Sequence, residues 1–122
     1  MKYLTRLIIL LSLATPLAAP LPTLAQDVDA GVAAVRQLGT LNGQALACAE
    51  KDAAARAKLL MLAHAPKTAR FGAAYEEATQ EAFLAQTKAA GTCPDARALA
   101  GKLDSVAKHL QAALPIALPA AK

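Results

Sequence analysis

Apolar residues recur every three or four positions through most of the chain after residue 25, which is the spacing of one face of an α-helix. The period of two that marks a half-buried strand does not occur. The pattern therefore predicts an all-α fold. The first apolar stripe predicts helix one and consists of Val28, Val32, Val35 and Leu38.

The end of helix one has two interpretations. Gly39 and the pair Asn42-Gly43 favour a turn, because glycine weakens a helix and Asn-Gly is a common turn sequence. We expect this turn, which makes helix one short. In the alternative, Gly39, Gly43 and Ala47 recur at every fourth position as a stripe of small residues on one longer helix.

Strong helix formers fill residues 44–64 and predict helix two. Pro66 ends it, because a residue that precedes proline is disfavoured in the helical region. Residues 67–90 predict helix three, with Thr68 as N-cap and Gly91 just beyond its end. The apolar stripe of helix three runs through Phe71, Tyr75, Ala78, Ala82, Ala85 and Ala89.

Helix four is predicted after Thr92 or Cys93 as its cap, because Pro94 suits the first helical position and Asp95 complements the helix dipole. Two i,i+4 pairs of opposite charge are expected on the exposed faces: Asp52 with Arg56 on helix two and Asp104 with Lys108 on helix four. The apolar stripe of helix four is the most regular of the chain and contains Leu99, Leu103, Val106, Leu110 and Ala113.

The N-terminal segment predicts export. Lys2 and Arg6 precede an apolar run over residues 7–13, and small residues surround Ala25. This is the arrangement of a secretory signal peptide, here residues 1–25, and it predicts a periplasmic or secreted protein. The alternative, an uncleaved anchor, needs about 20 continuous apolar residues. It is disfavoured because proline interrupts the run at Pro16, Pro20 and Pro22.

The mature chain is then one domain, residues 26–114, followed by a proline-containing tail, residues 115–122. Short connections favour antiparallel neighbours, so we expect an up-and-down bundle of three long helices and one short N-terminal helix. Helices two and four then run parallel, which brings Cys48 and Cys93 to the same end. We expect a disulfide there rather than a metal thiolate or redox pair, because the C-x-x-C spacing is absent and exported chains meet an oxidising compartment.

Charge and composition argue against two classes of function. The 13 Lys and Arg residues lose Lys2 and Arg6 with the signal, so 11 face 9 acidic residues and the net charge falls from +4 to +2. These charges are scattered and aromatic residues are few, which disfavours nucleic acid as a partner. Nucleophile elbows and glycine-rich phosphate loops are absent from the sequence, so we expect no enzyme.

The two histidines suggest a metal site as an alternative function. His64 follows Cys48 by 16 residues and His109 follows Cys93 by 16, so both histidines are expected about 24 Å from the disulfide. Together with Met61 they are candidate ligands for copper or zinc. The competing interpretation is that they are ordinary histidines near helix C-termini, where the dipole favours their charged form.

Helix three carries the candidate surface for a protein partner. Glu76, Glu77 and Glu81 form an acidic cluster, and Arg70 and Tyr75 lie beside it. We expect a non-enzymatic interaction module, such as a chaperone, inhibitor, immunity factor or accessory subunit, that recognises another envelope or secreted protein. A weaker third hypothesis is a membrane-surface or envelope scaffold that uses the apolar tail.

Overall fold

The computed structural model describes residues 24–89 and 91–116, with side chains from Asp27 onward. This part of the chain contains no strand and forms four helices: α1 (Leu24–Ala47), α2 (Lys51–His64), α3 (Ala69–Lys88) and α4 (Ala96–Ala113). The all-α prediction is confirmed. Residues 1–23, which hold most of the predicted signal peptide, and residues 117–122 of the predicted tail lie outside the described residues.

Helix α1 is the centre of the bundle, since it contacts each of the other three helices. Three longer helices and one shorter one are present, as predicted, but the prediction of a short N-terminal helix is wrong. The shorter helix is α2 with 14 residues, whereas α1 is the longest with 24. Val35 and Leu38 of its predicted stripe are fully buried.

The predicted turn at Gly39 and Asn42-Gly43 is also wrong, because α1 continues through both sites to Ala47. The turn comes later, at Cys48–Glu50, where Ala49 adopts a left-handed φ of 56°. Helix two therefore begins at Lys51 rather than at residue 44.

Tertiary packing explains why α1 does not turn. A Cβ on Gly39 would lie 2.5 Å from the Tyr75 carbonyl oxygen, and a Cβ on Gly43 would overlap the Thr79 carbonyl oxygen. The two glycines thus let the backbones of α1 and α3 touch, which outweighs a helix penalty of about 0.5–1 kcal/mol each. Asn42 donates a hydrogen bond from Nδ2 to Thr79 Oγ1 at 3.2 Å in the same contact.

Successive contacts show that α1 and α3 run parallel. Gly31 lies near Phe71, and the contacts of Gly43 fall later on α3 than those of Gly39. The α3 side of this interface is built from small side chains, with Ala74, Ala78 and Ala82 buried.

Ion pairs connect α1 and α3 beside the glycine contact. Arg36 of α1 lies between Glu77 and Glu81 of α3, at 3.4 and 3.2 Å, and Arg70 of α3 lies 2.6 Å from Asp29 of α1. All these side chains are substantially exposed, so each pair contributes between about 0 and 1 kcal/mol. They therefore add little to the stability of the α1–α3 contact.

Helices α2 and α4 run parallel, as the up-and-down topology predicts. Arg56 of α2 pairs with Asp104 of α4 at 2.5 Å, and further along both helices His64 lies against Leu114. The predicted local pairs, Asp52 with Arg56 and Asp104 with Lys108, are replaced by this pair between helices. Neither local pair is among the salt bridges of the described residues.

Helix α4 supplies the largest share of the large core side chains. Of its predicted stripe, Leu99, Leu103, Val106 and Leu110 are buried, as expected for an amphipathic helix that faces α1 and α2. The helix is capped by Asp95, whose carboxylate accepts the Ala98 backbone N–H at 2.7 Å. The prediction of Thr92 or Cys93 as cap and of Pro94 as the first helical residue is wrong, because all three precede the helix. Alanine fills much of the remaining core, so the stabilisation from apolar burial is modest.

The predicted disulfide is confirmed. Cys48 and Cys93 are bonded, and they join the residue after α1 to the segment before α4. Among the described residues, no helix combines the length and the apolar character needed to cross a membrane.

The glycine contact predicts an unusual response to alanine. Gly43→Ala is expected to lower the free energy of unfolding by about 1–3 kcal/mol, although alanine is the better helix former, because the new Cβ forces α1 and α3 apart. Gly72→Ala and Gly101→Ala are matched controls, since both positions are helical and a Cβ there meets nothing within 4 Å. These controls are expected to gain about 0.5–1 kcal/mol. Urea denaturation of the three variants decides the matter, and equal gains in all three would refute the close contact.

The disulfide closes a loop of 45 residues, for which the loop-entropy model gives a stabilisation of about 4 kcal/mol. The double variant Cys48→Ala, Cys93→Ala is expected to lose most of this free energy of unfolding. Thermal and urea unfolding of the double variant and of the reduced wild type measure the loss. If both proteins lose less than about 1 kcal/mol of unfolding free energy, the loop-entropy model is contradicted. The disulfide would then not stabilise the fold by restricting the unfolded chain.

Candidate functional site

A groove lies between α2 and α3, above α1. It has a volume of about 320 Å³ and is lined by Asn42, Leu46, Ala54, Ala55, Lys58 and Tyr75. The groove forms because α2 and α3 each pack on α1 but make little contact with each other within the described residues. We call it the α2–α3 groove.

The α2–α3 groove continues toward the disulfide end of the bundle. A second cavity of about 250 Å³ shares Leu46 and Ala54 with the first and extends to Ala49, Glu50 and Lys51. The walls are low because α2 contributes mainly alanine here, and Leu46 on the floor is consequently 51% exposed.

Large apolar side chains border the groove. On α2, Leu59 is 66% and Leu62 is 53% exposed, and they share one helix face with the groove residues Ala55 and Lys58 at i, i+3, i+4 and i+7. We call this face the α2 ridge, residues 55, 58, 59 and 62. On α3, Phe83 is 39% exposed and follows the groove residue Tyr75 by eight positions, which places it about 80° round the helix from Tyr75.

Tyr75 provides an unsatisfied polar group at the groove. Its hydroxyl is buried and has no hydrogen-bond partner in the described part of the protein. Burial raises the pKa of Tyr75 from 10.0 to about 12, because desolvation disfavours the phenolate. A buried hydroxyl without a partner costs free energy, so this group destabilises the folded chain.

The structure divides the predicted partner-binding residues of α3 between two flanks. Arg70, Glu77 and Glu81 form the ion pairs with α1, whereas Tyr75 lines the α2–α3 groove. Glu76 is exposed and takes part in no salt bridge among the described residues. The cluster that is continuous in sequence is therefore not one continuous surface.

The two histidines have different neighbours. His64 Nδ1 lies 2.8 Å from the Leu114 carbonyl oxygen, and His109 Nδ1 lies 3.2 Å from Gln37 Oε1 on α1. Met61 packs against the hydrophobic core. The described residues contain no group of three or more His, Cys, Asp or Glu side chains suited to a metal ion. Copper or zinc binding by His64, His109 and Met61 stays a prediction.

A second groove runs between α1 and α4 and is more polar. It has a volume of about 380 Å³ and is lined by Gln37, Thr40, Leu41, Gln44, Lys102, Ser105 and Val106. Its lining mixes amide, hydroxyl and ammonium groups with the apolar side chains Leu41 and Val106. Large exposed apolar side chains border the α2–α3 groove instead, which makes that groove the stronger candidate for a binding surface.

The exposed apolar residues Leu46, Leu59, Leu62 and Phe83 were not among the predicted site residues. A signal for two of them exists in the sequence, because residues 55, 58, 59 and 62 form a second stripe on helix two beside its buried one. Leu46 and Phe83 carry no such signal, since their exposure depends on how α3 lies relative to α2.

Comparisons with protein families, curated proteins and solved structures found no match to this chain.

The unpaired hydroxyl makes the stability of the protein sensitive to alkaline pH. The folded chain holds the Tyr75 proton more tightly than the unfolded chain, because the pKa of Tyr75 is higher in the folded state. The contribution of this pKa difference to the free energy of unfolding is complete below pH 10.0 and is lost as the pH rises toward about 12. Tyr75→Phe is expected to remove this loss, and at neutral pH to leave stability unchanged or slightly raised. The measurement is the free energy of unfolding of the wild type and of Tyr75→Phe at a series of pH values. Both proteins contain the same lysines, so the difference between them reports the titration of Tyr75 alone. A variant that loses stability at neutral pH would show that the hydroxyl has a partner.

Proposed function

We propose that this protein is a small, exported, non-enzymatic interaction module that binds another protein of the cell envelope through the α2–α3 groove. The observation that carries the proposal is the exposure of large apolar side chains at one groove and on the helix beside it: Leu46 lines the groove, and Leu59 and Leu62 lie on the outer face of α2, which forms one of its walls. Single exposed leucines are ordinary on a protein surface, but contiguous apolar patches mark binding sites.

The energetics favour a macromolecular partner over a small substrate. Full burial of an exposed leucine contributes about 1.5–3 kcal/mol, and Leu59 and Leu62 lie outside the cavity on the α2 ridge. A ligand that fits inside the groove leaves Leu59 and Leu62 in water, whereas a helix or a protein surface covers them.

Export is the second part of the proposal. The disulfide is compatible with a protein that works in an oxidising compartment. The signal peptide predicted over residues 1–25 supports the proposal from the sequence. Chaperone, inhibitor, immunity or accessory roles all use surfaces of this kind.

Replacement of the most exposed leucine tests the binding surface. Leu59→Glu is expected to reduce capture of the partner from a host envelope extract by about tenfold or more, because a carboxylate in an apolar interface is costly. Leu84→Glu is the matched control: Leu84 is 48% exposed and lies nine positions after the groove residue Tyr75, on the opposite side of α3. Both variants should fold, since each changes an exposed side chain. Equal capture by the two variants and the wild type would reject the groove as the binding surface.

A further inference from the structure

The groove between α1 and α4, which we call the α1–α4 groove, shares no lining residue with the α2–α3 groove. Its floor is apolar, since Leu41 and Val106 are only 7% and 8% exposed. Its other lining residues carry amide, hydroxyl and ammonium groups. An apolar floor with a few polar groups, in a volume of about 380 Å³, is the usual composition of a small-molecule site.

The register of α1 and α4 places Gln44 opposite Lys102 in this groove. The two helices are antiparallel, because the disulfide joins the end of α1 to the segment before α4, and His109 Nδ1 lies 3.2 Å from Gln37 Oε1 farther from the disulfide. Gln44 follows Gln37 by seven residues, and Lys102 precedes His109 by seven. Both therefore lie about 10 Å from that contact, on facing helices, and both line the groove.

Lys102 is a positive charge without a counter-charge in the α1–α4 groove. It is exposed, it is in none of the salt bridges of the described residues, and the groove lining contains no carboxylate. The hydroxyl groups of Thr40 and Ser105 donate to carbonyl oxygens of their own helices. The ammonium group of Lys102 is therefore the strongest donor that the groove offers to a ligand.

Gln44 occupies its position at a cost to stability. Its Oε1 atom is buried and has no hydrogen-bond partner in the described part of the chain, which is unfavourable. A methionine has a similar length and would leave no such atom. A planar amide directs its NH₂ group away from its oxygen, so the part of Gln44 that faces the groove is a donor. A ligand that accepts hydrogen bonds from Gln44 and Lys102 together explains why a polar residue is placed here.

We propose that the α1–α4 groove binds a small amphipathic carboxylate. Its carboxylate group accepts hydrogen bonds from Lys102 and Gln44, and its hydrocarbon part lies on Leu41 and Val106. A charged acceptor gains more from these donors than a neutral one. The α1 lining runs over residues 37–44, about 10 Å, which suits a hydrocarbon chain of medium length. This site is separate from the α2–α3 groove of the proposed function, and neither depends on the other.

Titration of the protein with octanoate, followed by amide chemical shifts in NMR spectra, tests the site. Octanol is the control ligand, because it has the same chain length and no charge. Octanoate is expected to bind with a dissociation constant of about 1 mM or below, which is ordinary for so small a ligand. It should bind about tenfold or more tightly than octanol and shift residues 37–44 and 102–106. Absent binding, equal affinities, or shifts confined to the α2–α3 groove would each overturn the proposal.

Two lysines of α4 provide matched variants. Lys102→Met is expected to raise the dissociation constant for octanoate by about tenfold or more, because it removes the charge and keeps the apolar stem. Lys108→Met should leave it unchanged, since Lys108 is exposed six positions later on α4 and does not line the groove. Both variants lower the net charge of the protein equally. Equal effects of the two would reject Lys102 as the carboxylate donor.

Gln44→Met separates binding from stability. The variant is expected to bind octanoate several-fold more weakly, because the amide donor is lost, while its urea unfolding midpoint stays equal or rises, because the unpaired oxygen is removed. A residue with a purely structural role would show the opposite pattern. Full octanoate affinity in Gln44→Met would therefore contradict the assignment of Gln44 to the site.

Discussion

The contact between the backbones of α1 and α3 is the constraint on which the rest of the fold depends. Gly39 and Gly43 remove the side chains that would otherwise separate the helices, and alanines on α3 complete the interface. The contact keeps α1 helical across an Asn-Gly sequence and fixes α3 on one side of it. Helices α2 and α4 then occupy the remaining sides of α1, and the space left between α2 and α3 becomes the groove.

A core rich in alanine needs support from other sources. Alanine buries little surface, and the four exposed ion pairs contribute little because water screens them. The large leucines of α4 and the Cys48–Cys93 bond therefore carry an unusual share of the stability. The bond joins the central helix to the helix with the best apolar face, which connects the two main contributors to the core.

The same shortage of large side chains produces the candidate binding surface. Ala54 and Ala55 cannot cover the floor of the α2–α3 groove, so Leu46 stays accessible, and Tyr75 keeps a buried hydroxyl without a partner in the described chain. Leu59 and Leu62 project beside this groove.

Periodicity and redox chemistry determined several features from the sequence alone. The stripe over Leu99, Leu103, Val106 and Leu110 fixed α4 and its buried face, and the even cysteine count with an expected export signal led to the disulfide. Short connections led to the parallel course of α2 and α4. These features follow from the spacing of apolar residues, cysteines and helix ends along the chain, which is visible in the sequence.

Only the tertiary structure decided the rest, because it depends on which backbones approach each other. Gly39 and Asn42-Gly43 read locally as a turn, and only the α3 backbone beside them makes glycine the residue that a continuous helix requires. The acidic residues of α3 read as one surface, yet Arg36 lies near two of them and Tyr75 belongs to another flank. The exposure of Leu46 likewise follows from the distance between two helices, a property that no single segment of sequence encodes.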